Sequence, residues 1–202
     1  MSVLSGQSIR GLCELRSAYP DIPRMISPFV PTKQLCSGKS YGLSAASYDL
    51  RIAHDLTLGP HPGHLMAEAL KTMVEDDQYS PAALLGAMIS HLKGVPPAFA
   101  LAHTVETFHM PPNVMGFICD KSTYARFGVS CFNTMFDPGF RGVGTLELVN
   151  LSPKVIVIRQ GDPICQMVFQ WLDEPTETPY AGKYQDQPAQ PMPAILEATV
   201  AG

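Results

Sequence analysis

From Phe99 onward the chain is cut into short apolar runs by turn-forming residues, and that rhythm leaves few architectures open. The runs are Phe99 to Phe108, Val114 to Cys119, Val143 to Asn150, Val155 to Ile158 and Ile164 to Leu172. Each has strand length, and the spacing predicts an all-β sandwich or barrel. Nineteen prolines and sixteen glycines, in a chain with 46% hydrophobic residues, agree with many short strands and turns around a real core. At 202 residues the chain can bury one domain, expected over residues 1–173. The remainder, 174–202, is rich in Pro, Gln and Thr, lacks core periodicity and reads as a polar tail.

The first half is more mixed. Residues 3 to 16, VLSGQSIRGLCELR, read as a short amphipathic helix with Ser5 as N-cap and Ile9, Leu12 and Cys13 on one face. Four prolines between Tyr19 and Pro31 keep the next segment extended or looped. Strand character returns from Tyr41 to Leu58, where Asp49 and Arg51 read as structural charges that pair within the fold or between subunits. Residues 63–93 switch to a helical period, with Leu65, Met66, Ala69, Leu70 and Met73 apolar between His64 and Glu75. Ser80-Pro81 then supplies an N-cap and a first-turn proline for a second helix through about Leu92, stopped by Gly94-Val95-Pro96-Pro97. The segment is a helical insertion whose methionines and leucines are expected to pack on the β scaffold or on a neighbouring subunit.

Charge and cysteine usage narrow the function classes. A net charge of −4 and a pI near 5.8 give no overall basic field, which argues against a nucleic-acid polymer as partner and leaves room for a local cationic pocket. No apolar stretch approaches the ~20 residues that span a bilayer, so no membrane association is expected. Cys13, Cys36, Cys119, Cys131 and Cys165 form no CxxC pair and are odd in number, which predicts reduced thiols in a cytoplasmic protein. The HxE and PCxxC halves of the zinc nucleobase deaminases are absent, and the six histidines make no HExxH. No zinc site is expected, and any deamination has to proceed without one.

The stretch from Ile118 to Asn150 concentrates the chemistry. Lys121-Ser122-Thr123-Tyr124-Ala125-Arg126 places two cations and two small hydroxyls within six residues, and one helical turn puts Ser122 and Arg126 on a shared face. Downstream, Asp137-Pro138-Gly139 forms a turn that feeds a strand carrying Glu147 on the same face as Thr145 and Val149. Taken singly, these residues have ordinary readings: a solvated polar turn, a turn-forming aspartate, a glutamate facing water. Together, cationic and hydroxyl donors followed by two acids fit an anionic substrate beside a general base.

Several blocks in order carry a resemblance. KSTYARFGV, DPGFRGVGTLELVN, GDPICQMVF and KYQDQ, with ASYDLR at Ala46 to Arg51 and LAHTVETFHMPP at Leu101 to Pro112, resemble the signature blocks of the dCTP deaminase family, relatives of the trimeric dUTPases. The resemblance implies a distorted β-barrel or jelly-roll of the dUTPase-like fold with an N-terminal helix, assembled as a homotrimer with shared sites. It implies dCTP as substrate, hydrolysed to dUTP and ammonia, with Mg²⁺ bound alongside the triphosphate. By position in the motifs, Glu147 is the general base, Arg126 holds Glu147 or the water, and Ser122 bonds the attacking water. Lys121, Ser122, Thr123 and Gln166 meet the phosphates, and Tyr180, Lys183 and Gln187 come from a tail that closes over the ligand. The loop SCFNTM, Ser130 to Met135, is shorter than in several members and lacks their HxTA-like residues, so Asn133 is expected to supply side-chain hydrogen bonds to the base. Asp137 matches the water-activating aspartate of dUTPases. That match keeps open a dUTPase, or a bifunctional enzyme taking dCTP to dUMP and pyrophosphate; a non-catalytic nucleotide-binding regulator is the third possibility.

Overall fold

The computed structural model describes residues 2–14, 23–75 and 80–196. A short strand β1 (Ser2–Val3) leads into helix α1 (Gly6–Glu14). Ser5 caps α1 as expected, its hydroxyl oxygen accepting from the Ser8 amide at 3.3 Å. Ile9 and Cys13 are fully buried and Leu12 packs beside them, so the amphipathic face is the one the spacing predicted. The expected last residues of that helix, 15 and 16, and the start of the proline-rich segment at 19–22 lie outside the described residues, as do positions 197–202 of the tail.

The expected strand from Tyr41 to Leu58 is divided. After β2 (Ile26–Ser27), a hairpin of β3 (Gln34–Cys36) and β4 (Lys39–Leu43) precedes β5 (Tyr48–Arg51), and β6 (Leu56–Leu58) stands apart. The breaks have local causes: the Ser44 amide donates to the Ser47 carbonyl at 2.8 Å to turn the chain, and β6 leaves to pair with another strand. Next come helices α2 (Pro62–Glu75) and α3 (Pro81–Leu92), which pack against each other. The remaining elements are β7 (Phe99–His109), β8 (Val114–Asp120), α4 (Ser122–Ala125), β9 (Val129–Cys131), β10 (Met135–Phe136), β11 (Arg141–Asn150), β12 (Ile156–Ile158) and β13 (Pro163–Trp171). The five runs read from the sequence correspond to β7, β8, β11, β12 and β13 within two residues at each end.

Two antiparallel sheets enclose the core. One runs β10-β8-β13-β5-β4-β3, with β1 added along β13; the other runs β2-β7-β11-β9. A separate β12-β6 pair flanks them. Tyr48 and Leu50 of β5, Met167 and Phe169 of β13, Phe108 of β7 and Leu146 and Leu148 of β11 meet in one buried cluster, the alternation of each strand sending every second side chain inward. Among the described residues the sheets do not close into one continuous barrel, which fits the distorted form of the expected architecture. Between the sheets, Glu106 of β7 is fully buried and takes the Arg51 guanidinium Nε at 2.8 Å and the Arg51 amide at 3.0 Å. The structural role expected of Arg51 is this inter-sheet pair.

The helical insertion leaves and rejoins the scaffold through one narrow neck. The Gly59 amide donates to the Pro97 carbonyl at 2.9 Å, and a Cβ on Gly59 would fall 1.8 Å from the Pro96 carbonyl oxygen, so only glycine fits there. Ala69 is buried, whereas Met66, Leu70, Leu85, Ile89 and Leu92 are exposed in the single chain. Within the single chain these five do not pack on the β scaffold, which leaves the other expected place, a neighbouring subunit; the Met73 side chain lies outside the described residues. No helix among the described residues is long and apolar enough to cross a membrane.

Candidate active site

The outer face of the β7-β11 pair carries a cavity of about 740 Å³. Register sets Glu147 opposite Leu101 and Val149 opposite Phe99, while Leu146 and Leu148 point into the core. Phe99, Leu101, Phe132 and Phe136 form apolar wall, and Glu147 stands among them. Its Oε2 is buried and has no hydrogen-bond partner among the described residues. Burial pushes the Glu147 carboxyl above its ordinary range, offset in part by a bond from its own backbone amide. An acid held in this way is a stronger proton acceptor than one in water.

A β-bulge aims that face. The β11-β7 register shifts between Val143 and Thr145, and the Gly144 amide donates to the Thr104 hydroxyl oxygen at 2.9 Å. Thr104 in turn donates to the Glu106 carbonyl at 2.6 Å. A Cβ at Gly144 would meet the Phe136 ring at 2.6 Å, so glycine lets the ring close under the strand.

The tail borders the same cavity. Asp137, Pro138 and Gly139 make the expected turn, closed by the Phe140 amide on the Asp137 carbonyl at 3.1 Å with Gly139 at φ +89°. Onto it folds Tyr180, whose amide donates to the Pro138 carbonyl at 2.8 Å. Arg141 grips Asp186 through two bonds of 2.8 Å. The Gln187 carbonyl accepts from the Val143 amide at 3.2 Å, and its side-chain amide donates to the Thr145 hydroxyl, which also accepts from the Met192 amide at 3.1 Å. Lys183 donates to the Ile195 carbonyl at 2.6 Å. Asp137, Tyr180, Lys183 and Gln187 thus all line the cavity with Glu147.

The remaining expected residues gather elsewhere in the chain. The KSTYAR segment does form a turn of helix, α4, with the Arg126 amide and its Nη1 both donating to the Ser122 carbonyl at 3.2 Å. Ser122 and Arg126 are exposed and Thr123 is half-buried; none of them lines the Glu147 cavity. Lys121 is buried and its ammonium lies 3.1 Å from Asp49, which also receives Lys33. Gln166 is the register partner of Asp49, donating to the Asp120 carbonyl at 3.0 Å and accepting from the Ser47 hydroxyl at 3.2 Å. Asn133 is exposed and does not line the cavity; Thr134 beside it does. The sequence reading missed Thr145, Thr134 and Lys33. Thr145 was within reach, being two positions from Glu147 on one strand face, whereas no spacing brings Lys33 to Lys121. All five cysteines are free thiols, and among the described residues no three His, Cys, Asp or Glu side chains gather as a metal site.

Comparison with known proteins bears on this arrangement. Residues 24–172 match the dCTP deaminase-like family. The chain is 38% identical over 178 residues to a dCTP deaminase of Campylobacter fetus, covering 86% of this chain and 91% of that one. A dCTP deaminase of Granulibacter bethesdensis is 36% identical over 174 residues, covering 85% and 91%. That of Paramagnetospirillum magneticum is 32% identical over 198 residues, covering 96% and 100%. Among solved structures, the 2′-deoxycytidine 5′-triphosphate deaminase from Agrobacterium tumefaciens aligns at TM-score 0.47 and 17% identity, over 84% of this chain and 48% of that one. The EIAV dUTPase aligns at TM-score 0.44 and 15% identity, over 69% and 87%. With three quarters of its length inside the matched region and relatives this similar across most of their own length, the chain belongs to the dCTP deaminase-like family.

Proposed function

We propose that the protein is a dCTP deaminase, hydrolysing the 4-amino group of the cytosine of dCTP to give dUTP and ammonia. The observation that carries this reading is the half-buried Glu147 carboxyl, its Oε2 unpartnered, beside a cavity of nucleotide size. Water is a weak nucleophile, so Glu147 takes its proton as the oxygen attacks C4 and N3 of the ring is protonated. Glu147 hands that first proton to N3, then carries the remaining proton of the C4 hydroxyl to the amino group; the C4–N bond breaks, ammonia leaves, and the C4 carbonyl of uracil forms. The relatives named dCTP deaminase support the same substrate.

Ser122 and Arg126 lie apart from Glu147 within one chain, which is the reason to infer a homotrimer in which α4 of a neighbouring copy completes the site. There Ser122 would bond the attacking water and Arg126 would hold Glu147. Lys121, Thr123 and Gln166 would meet the triphosphate from the side of α4, and Tyr180, Lys183 and Gln187 from the tail, because charge-assisted bonds to phosphate are the strong ones. Mg²⁺ enters with the triphosphate as part of the substrate, held through phosphate oxygens and waters. Thr134 and the backbone of the 130–135 loop are better placed than Asn133 to read the base. Five free thiols support a reducing compartment, the cytoplasm.

A second reading, release of pyrophosphate from dUTP, rests on Asp137, which lines the same cavity and is exposed to it. Supplying dCTP, dUTP and dCMP separately and following ammonia and pyrophosphate separates the two. Ammonia from dCTP without pyrophosphate supports the deaminase; pyrophosphate from dUTP supports the second activity, alone or in addition. Binding of dCTP without either product would leave a regulator and sink both.

A further inference from the structure

The hairpin β3-β4 brings two lysines to the turn that carries Ser122 and Thr123. Lys39 lies 3.0 Å from Asp162 and 5.8 Å from the centre of the Tyr124 ring within α4. Lys33, just before β3, pairs with Asp49, the carboxylate that also holds Lys121. Asp49 is 2% exposed and sits on a central strand, so it has room for these partners and little else. Two ammoniums share one carboxylate, which leaves a surplus positive charge. Of the nearby acids, Asp162 pairs with Lys39 and accepts from the Tyr124 hydroxyl at 2.9 Å, and Asp120 faces the Ser130 hydroxyl and the Cys131 amide rather than either lysine of the Asp49 cluster.

The two lysines are not equivalent. The Lys121 side chain is 9% exposed and has no route away from Asp49, whereas that of Lys33 is 42% exposed and borders a groove of about 700 Å³ with Arg10 and Thr32. A surplus charge on a side chain that can move, next to exposed hydroxyls, is what a polyanion needs as a partner. Asp49 is also paired in register with Gln166, so the cluster is continuous with the residues read above as meeting phosphates.

We propose that Lys33 is a further triphosphate-binding residue, resting on Asp49 in the free protein and moving to the phosphate chain when it arrives, while Asp49 keeps Lys121 in place as a positioning residue. This rests on the deaminase reading for the identity of the ligand and on the Asp49 cluster for the site. A lysine absent from the family blocks thereby tunes preference for the triphosphate over shorter nucleotides.

The test uses full-length protein with Lys33→Met and Lys33→Arg, inorganic tripolyphosphate with Mg²⁺ as the calorimetric probe, and dCTP and dCMP as kinetic substrates. Lys33→Met is expected to weaken tripolyphosphate binding and to raise KM for dCTP, each about 10- to 100-fold, the range for a charged hydrogen bond. It should leave kcat for dCTP within about twofold and KM for dCMP unchanged, and Lys33→Arg should restore binding. A Lys33→Met protein that holds tripolyphosphate as tightly as the wild type overturns the proposal. Should that variant fail to fold, Lys33→Gln takes its place with the same reading: weakened tripolyphosphate binding upholds the role and unchanged binding overturns it. Ammonia release by the wild type is scored separately. If dCTP yields none while tripolyphosphate binding still depends on Lys33, the deaminase reading falls and the anion site stands.

Discussion

Thr145 and Glu147 stand two residues apart on one face of β11, and the tail satisfies the first while leaving the second bare. The Thr145 hydroxyl meets the Gln187 side chain and the Met192 amide, whereas Glu147 Oε2 meets nothing among the described residues. A buried unpartnered acceptor costs about 1–3 kcal/mol, a cost that functional sites carry and structural positions shed. The contrast within a single strand face marks Glu147 as the reactive member.

Replacing Glu147 with Gln keeps the shape and removes the base. Ammonia release from dCTP is expected to fall by ~10²- to 10⁴-fold or more, with dCTP affinity within a few-fold of wild type. Stopped-time ammonia assays and calorimetry on the same preparation check this. Deamination at wild-type speed would remove Glu147 from the mechanism.

The same carboxyl predicts a pH signature in stability. Burial raises its pKa in the folded chain above that of an ordinary glutamate. The folded state therefore holds this proton more tightly than the unfolded one, so the linked stability is fully present below about pH 4.5 and is lost as pH rises through the folded value. Glu147→Gln cannot ionise and escapes that loss. It is expected to melt above wild type at neutral pH and to converge with it in acid. Thermal unfolding at pH 4 and pH 7.5 decides; a variant less stable than wild type at neutral pH contradicts the burial argument. In kcat/KM the acid limb should fall above the ordinary carboxylate range, and in the proposed trimer, where a neighbouring copy brings Arg126 to Glu147, Arg126→Ala should move it higher still, because removing that cation favours the protonated acid.

Much of this was legible in the sequence because it is set by short-range pattern. Period-two alternation gave the strand bearing Glu147 and its outward face; Ser5 and Pro81 gave the starts of α1 and α3, since caps and first-turn prolines act within four residues. Contacts between distant segments were not legible. Nothing in the sequence around Glu106 marks it, and only the sheet packing makes it the buried partner of Arg51, 55 residues away. Lys33 lies 16 residues from Asp49, and Lys121 reaches the same carboxylate from the opposite direction in sequence. Asn133 was expected at the base because the loop lacks the family's HxTA-like residues, whereas Thr134 and not Asn133 lines the cavity. The leucines of the insertion are exposed in the single chain, and helical period shows which face is apolar without saying whether the scaffold or a neighbouring subunit covers it.

The Arg51-Glu106 pair offers a stability test far from the chemistry. Burial raises the Glu106 pKa and the Arg51 contacts pull it back, while Glu106 raises that of Arg51. Arg51→Met strands a fully buried carboxylate between the sheets, which is expected to cost about 3–5 kcal/mol in denaturant unfolding. Arg51→Met combined with Glu106→Leu removes the orphan as well and should recover most of that loss. A double variant as unstable as the single one would show that packing, and not the unpaired charge, sets the cost.

Closure of the tail can be tested at Gly142, where backbone conformation and close approach coincide. Gly142 has φ +124° and pairs in parallel with Gln187, and a Cβ there would fall 2.5 Å from the Gln187 nitrogen and 2.7 Å from its oxygen. Gly142→Ala therefore adds backbone strain, about 1–3 kcal/mol, and also pushes the tail off β11. Gly161→Ala is the matched control, with φ +83° and open space around its Cβ, so it brings strain without collision. Limited trypsin digestion should cut at Lys183 faster in Gly142→Ala than in Gly161→Ala, and KM for dCTP should rise in the first alone, since Tyr180, Lys183 and Gln187 leave the cavity together. Equal cleavage and equal KM in the two variants would mean that the tail does not depend on this contact, and its part in holding the triphosphate would have to be given up.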